Sequence, residues 1–89
     1  MNSHLTRRFR ELFSELPAHV QRQARAAYRL FQADPTHPGL HFKQVNAAPL
    51  MYSARVGISY RALCTRDGDT VVWFWIGSHA EYDHLLTQL

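Results

Sequence analysis

The chain has 89 residues, 46% of them hydrophobic, enough for one compact core and too short for a second domain, so residues 1–89 are expected to form a single unit. Ten Lys and Arg against seven Asp and Glu give a formal net charge of +3. Lys43 is the only lysine. The arginine bias favours a phosphate or carboxylate partner, because a guanidinium presents a planar fork of donors. A lone cysteine, Cys64, excludes an internal disulfide framework and a multi-cysteine zinc site.

No apolar run approaches the roughly 18 to 20 residues needed to span a bilayer, so no membrane association is expected. The charged start MNSHLTRRFRELF argues against a signal peptide, and a cytoplasmic location follows as the expectation. Thr6 can cap a first helix in which Phe9, Leu12, Phe13 and Leu16 recur at i, i+3, i+4 and i+7. Pro17 suits the first position of a second helix running to about Ala33, with Val20, Ala24, Ala27 and Phe31 on its apolar stripe. The short link between them predicts a helical hairpin.

Two prolines and a glycine in Asp34 to Gly39 stop that helix. Strands are expected over Leu40 to Val45, Met51 to Val56, Tyr60 to Thr65 and Thr70 to Ile76, joined by Asn46 to Pro49, Gly57 to Ser59 and Arg66 to Asp69. Asp67-Gly68 predicts a two-residue type I′ hairpin turn, and the short links make the pairing antiparallel. The run from Val71 to Ile76 is apolar on both faces, as in a central strand covered on both sides. Gly77 is expected to break it. Ser78-His79-Ala80-Glu81 then forms a capping box ahead of a short amphipathic helix carrying Tyr82, Leu85, Leu86 and Leu89. The fold class is therefore α+β: an N-terminal helical hairpin on a twisted four-stranded antiparallel sheet, closed by a short C-terminal helix.

Several residues have the chemistry for a functional site. Arg22, Arg25 and Arg29 form a basic stripe on the second helix, which is either a solvated face or a dock for a phosphate backbone. Arg55 and Arg61 flank a tight turn, with Lys43 on the preceding strand. They either converge as an anion-binding patch or pair with Glu81 or Asp83. His79 sits where free backbone N–H groups and the helix dipole disfavour imidazolium, which suits a general base. His37 with His41, and His79 with His84, lack metal-ligand spacing, so no metal and no cofactor are expected. Cys64 reads as a small buried hydrophobe rather than a nucleophile. Trp73, Phe74 and Trp75 are core, or a face for nucleobases or a partner's apolar segment.

Taken in order, Leu16-Pro17-x-x-Val20, Asp34-Pro-x-His-Pro-Gly-Leu40-x-Phe42-Lys43, Tyr52-Ser-x-Arg55-Val56-Gly57-x-x-Tyr60-Arg61-Ala62-Leu63 and Trp73-x-x-Ile76-Gly77-Ser78-His79-x-x-Tyr82 resemble the RelE/ParE superfamily of bacterial type II toxins. The resemblance implies a growth-inhibiting toxin held inactive by a cognate antitoxin. RelE-like members cleave mRNA on the ribosome without a metal, through attack of the 2′-hydroxyl on the adjacent phosphate. On the matching positions, His79 or Tyr82 would move protons, and Lys43, Arg55 and Arg61 would stabilise phosphate charge. The Gly77-Ser78-His79 turn is similar to that of YafQ-type members, whose catalytic histidine stands at the place of His79. Only Met1 to Leu5 precede the first helix, so the family's leading strand is expected to be short or missing. The ParE branch shares the scaffold but poisons DNA gyrase, which keeps a gyrase inhibitor, or an inactive binding module, as the alternative.

Overall fold

The computed structural model describes residues 1–46 and 48–89. Thr6 is extended and its hydroxyl accepts from the Phe9 N–H at 3.1 Å, which starts helix α1, Arg7–Ser14. Helix α2, Ala18–Ala33, follows, with Pro17 one position outside it as the N-cap, its ψ of 149° still extended. The Gln21 amide latches the joint by donating to the Phe13 carbonyl at 3.1 Å. The helices lie over different strands, α1 against β5 and α2 against β3, so the expected hairpin straddles the sheet.

The sheet corrects the sequence reading. It has five strands in the order β1-β5-β4-β3-β2, and it is mixed rather than wholly antiparallel. The additional strand, β1 at Asn2–Leu5, runs parallel to β5, Thr70–Ser78, with Ser3 opposite Val71 and Leu5 opposite Trp73. The leading strand is thus short but present. Its sequence escaped notice because an edge strand of four residues offers little alternation to detect.

The chain between Asp34 and Val45 also departs from expectation. Pro38–Leu40 forms a 3₁₀ turn capped by the His37 Nδ1, which accepts from the Gly39 N–H at 3.0 Å. His41, at φ 46°, ends it in the left-handed region, leaving only Lys43–Val45 as β2. The expected link Asn46 to Pro49 includes Ala47, which lies outside the described residues; Ala48 and Pro49 already belong to β3, Ala48–Val56.

β3 pairs with β4, Tyr60–Asp67, through a Gly57-Ile58-Ser59 turn in which Gly57 has φ +59°. At the next hairpin Asp67 pairs with Thr70, so Gly68 and Asp69 are the loop. Only Gly68 has positive φ, +58°, which is the pattern of a type II′ turn rather than the expected type I′.

One irregularity organises both faces of β5. Leu63 pairs with Trp75 and Cys64 with Trp73, so Phe74 is the extra residue of a β-bulge. In a regular strand Trp73 and Trp75 would share a face. The bulge sends Trp73, 3% exposed, into the core under α1 and α2 with Phe31 and Cys64, and Trp75 to the other face with Leu63. That second face is covered by α3, His79–Leu86, whose Tyr82, Leu85 and Leu86 pack on Leu63 and Trp75.

Gly77 does not break β5; the strand continues through it to Ser78. Its role is spatial. A Cβ there would lie 2.6 and 2.7 Å from Cζ2 and Cη2 of Trp75, so the indole occupies the space that a side chain would need. Burial pushes the Cys64 thiol up to about 12, which makes it an inert packing group as expected.

Candidate functional site

The candidate site lies on the α3 face of the sheet, where β3, β4 and the start of α3 meet. Register brings its arginines together: Arg55 and Arg61 are directly paired across β3 and β4, so their side chains project from the same face. Lys43 pairs with Ser53, two residues before Arg55, and so joins that face from β2. On the other side Arg61 is opposite Gly77, which carries no side chain to crowd it.

The start of α3 is fixed by the capping box. The Ser78 hydroxyl accepts from the Glu81 N–H at 3.1 Å, and the Glu81 carboxylate accepts from the Ser78 N–H at 2.9 Å. The Ser78 backbone N–H foremost, and the Ser78 hydroxyl after it, hold the Glu81 carboxyl below its ordinary range. The His79 N–H donates to the Ser59 carbonyl at 2.7 Å, tying the helix start to the β3–β4 turn. His79 is thereby held, two residues beyond the partner of Arg61, at a helix start fixed by its cap and by the β3–β4 turn.

The side chains then divide by role. His79 is exposed, and its Nδ1 lies 3.1 Å from Asp83 Oδ2, one helical turn on. With Nδ1–H donating to that carboxylate, Nε2 is the ring nitrogen left with a lone pair. Tyr82 is 8% exposed and belongs to the core beneath α3. Its ring lies 6.0 Å from the Arg61 guanidinium carbon and meets the His79 ring edge-on at 6.0 Å. Arg55 donates through Nε to the Gly57 carbonyl at 2.9 Å, and its Nη1 is 3.5 Å from His41 Nε2.

Among the described residues no carboxylate pairs with Lys43, Arg55 or Arg61, and Arg61 Nη1 is buried with no hydrogen-bond partner. The sequence left open a salt bridge to Glu81 or Asp83. Both are engaged elsewhere, Glu81 by the cap and Asp83 by His79. The arginines are therefore cations without a counter-ion of their own.

Arg22, Arg25 and Arg29 are exposed on α2, which packs on the opposite face of the sheet from α3. The basic residues singled out in the sequence thus fall in two layers. Sequence reasoning missed Asp83 as the partner of His79, although their i, i+4 spacing on a helix was the available signal. It also missed His41 beside Arg55, which only the left-handed turn after Leu40 could have revealed. Among the described residues no three metal-ligating side chains cluster, and no helix is long and apolar enough to cross a membrane.

The sequence profile of the ParE-like toxin domain matches residues 18–84. The chain belongs to the ParE-like toxin domain family. It is a toxin of the RelE/ParE superfamily, as the motifs suggested. No curated protein matches it.

Solved structures share the fold at low identity. A chain of the RelB–RelE antitoxin–toxin complex from Methanococcus jannaschii is 19% identical, with a TM-score of 0.73 over 91% of this chain and 96% of that one. A chain of the RelBE2 toxin–antitoxin complex from Mycobacterium tuberculosis is 22% identical, with a TM-score of 0.68 over 88% and 96%. The isolated RelE toxin of E. coli is 14% identical, with a TM-score of 0.66 over 99% and 98%.

Proposed function

We propose that this ParE-like domain is a ribosome-dependent, metal-independent mRNA endonuclease that inhibits translation and is neutralised by a cognate antitoxin. The observation that carries this reading is the pair Arg55 and Arg61, unpaired with any described carboxylate, beside an exposed histidine whose Nδ1 is bonded to Asp83. A merely structural arginine on a sheet would be expected to have a carboxylate or a set of carbonyls as partners. Arg61 has a tyrosine ring under it and a buried donor without an acceptor, which favours an anion as its missing partner.

The chemistry follows from that arrangement. His79 Nε2 takes the proton of a ribose 2′-hydroxyl. The 2′-oxygen attacks the adjacent phosphorus, the bond to the 5′-oxygen breaks, and the departing 5′-oxygen takes a proton from water, leaving a 2′,3′-cyclic phosphate and a 5′-hydroxyl end, while the His79 imidazolium returns its proton to solvent. Negative charge builds on the non-bridging oxygens during attack, and Arg61, Arg55 and Lys43 stabilise it by charge-assisted hydrogen bonds. Tyr82, buried under Arg61, serves as its platform rather than as a proton carrier. Arg22, Arg25 and Arg29 take RNA phosphates outside the reacting group.

The antitoxin is proposed as an acidic, amphipathic segment that covers the basic surface and the apolar edge beside it. Two of the fold relatives are chains of antitoxin–toxin complexes, in keeping with such a partner. The match to a ParE-like profile favours a second reading, a DNA gyrase inhibitor.

One experiment divides the two. In a DNA-free translation system with purified protein, primer extension is expected to reveal cleaved mRNA, cleavage is expected to vanish when the ribose at the cut site is 2′-deoxy, and His79→Ala is expected to be inert while remaining folded. Intact mRNA together with blocked supercoiling by purified gyrase would sink the nuclease reading.

A further inference from the structure

A hollow lies on the face of the sheet opposite the candidate site. It has a volume of about 250 Å³ and is lined by Phe9 and Phe13 of α1, Ala27, Tyr28 and Phe31 of α2, and Trp73 of β5. It lies between α1, which packs over β5, and α2, which packs over β3. The Gln21 amide, bonded to the Phe13 and Ser14 carbonyls, closes the joint of the two helices.

The wall has almost no polar handle left for a ligand. The Trp73 indole N–H donates to the Ser3 hydroxyl at 3.2 Å, and that hydroxyl is hydrogen-bonded to the Tyr28 hydroxyl at 2.7 Å. The two polar groups of the aromatic lining are thus satisfied within the protein, and the space they enclose suits an apolar body.

The exposed lining is different. Arg10 and Arg25 both border the hollow, and neither pairs with a described carboxylate; Glu11, the acid nearest in sequence, is held by Arg7 and Arg8. The Arg25 guanidinium carbon rests 5.0 Å from the centre of the Phe13 ring, placing its charge at the edge of the aromatic wall. An apolar chamber with two uncompensated guanidinium groups at its exposed side complements one kind of molecule: an apolar chain ending in one carboxylate.

We infer that this hollow is a binding site for a small monocarboxylate with an unbranched apolar chain, whose tail fills the space between α1 and α2 and whose carboxylate pairs with Arg10 and Arg25. Size sets the chain length. A dry cavity of roughly 150 Å³ accepts benzene, so by proportion this one accepts about ten non-hydrogen atoms, the size of octanoate or decanoate. The latch at Gln21 and the limited volume favour a short free acid over a long polymer.

The test is titration of the full chain with decanoate, decan-1-ol and decylammonium, followed by methyl NMR of the alanines and by thermal unfolding. Decanoate is expected to shift the methyl signals of Ala24, Ala27, Ala54 and Ala62, to raise Tm, and to bind at least tenfold more tightly than decylammonium. The double variant Arg10→Gln/Arg25→Gln is expected to weaken decanoate at least tenfold and to leave decan-1-ol unchanged. Ala27→Trp, which fills the hollow, is expected to abolish binding of both. If that variant does not fold, the methyl map of the native chain decides alone. Equal binding of acid and amine, shifts confined to residues outside the hollow, or an acidic helical peptide binding there while decanoate does not, would each overturn the inference. Failure of the nuclease reading would leave it untouched, since His79, Arg55 and Arg61 lie across the sheet and only Arg25 is shared with the proposed RNA surface.

Discussion

Gly77→Ala is a perturbation whose sign distinguishes a spatial role from an incidental glycine. In an open strand, adding a methyl to glycine gains about 0.5–1 kcal/mol from reduced chain entropy. Here the new Cβ would lie 2.6 Å from Cζ2 and 2.7 Å from Cη2 of Trp75, and 3.2 Å from a Glu81 carboxylate oxygen. Carbon atoms pack at about 3.5–4.0 Å, so the indole must retreat by about 1 Å, and Leu63 and α3 lie against it. Such overpacking costs about 1–3 kcal/mol.

The net expectation is a loss of about 1–2 kcal/mol, which for a domain of this size lowers Tm by about 4–16 °C. Thermal unfolding followed by circular dichroism and tryptophan fluorescence measures it. In a Trp75→Leu background the obstacle is gone, and Gly77→Ala is then expected to be neutral or stabilising. An equal loss in both backgrounds, or a gain in the native one, would refute the steric account.

Four further outcomes are expected. Arg61→Gln should cut cleavage by about 10²- to 10³-fold, the scale of one lost charge-stabilising donor, with Tm changed little; a large fall in Tm at unaltered cleavage would make Arg61 structural. Asp83→Asn should lower activity by about fivefold or less, since both partners of the His79 pair are solvent-exposed and such pairs are worth up to about 1 kcal/mol. Ser78→Ala removes the cap of α3 and should cost about 1 kcal/mol in urea unfolding. Because the folded protein holds the Glu81 carboxyl below its ordinary value of 4.5, its contribution is present above that value and is lost as pH falls through the folded one. The stability gap between the native chain and Glu81→Gln should therefore close in acid.

The sequence made legible what depends on local chemistry. Thr6 and the Ser78/Glu81 box mark helix starts by hydrogen bonds formed within four residues and Pro17 by its fixed φ, and each lies at or next to a helix boundary. The bulge at Phe74 was illegible because an apolar run of six residues fits either face, and only pairing with Cys64 and Leu63 decides which tryptophan goes where. Strand β1 was missed for a similar reason, its partner being the far end of the chain. At the candidate site the residue types were readable, and their common face was not. That face depends on the three-residue turn Gly57-Ile58-Ser59, which sets Arg55 opposite Arg61; a slip of one residue would have sent one of them into the core. The absence of a counter-ion was equally hidden, because Glu81 and Asp83 stand close in sequence and are claimed by α3 itself.

The parallel edge strand has a consequence for how the molecule comes into being. Residues 2–5 are made well before residues 70–73, to which they hydrogen-bond, and the Ser3 hydroxyl waits for an indole 70 positions later. At about 5–20 residues per second of synthesis, several seconds separate the two. During that interval β1 has no edge to join, α1 has no β5 to lie on, and α3, with its histidine, does not exist. Completion of the sheet and arrival of His79 then fall close together in time. Until residue 79 has been added, neither the sheet nor the candidate site is complete.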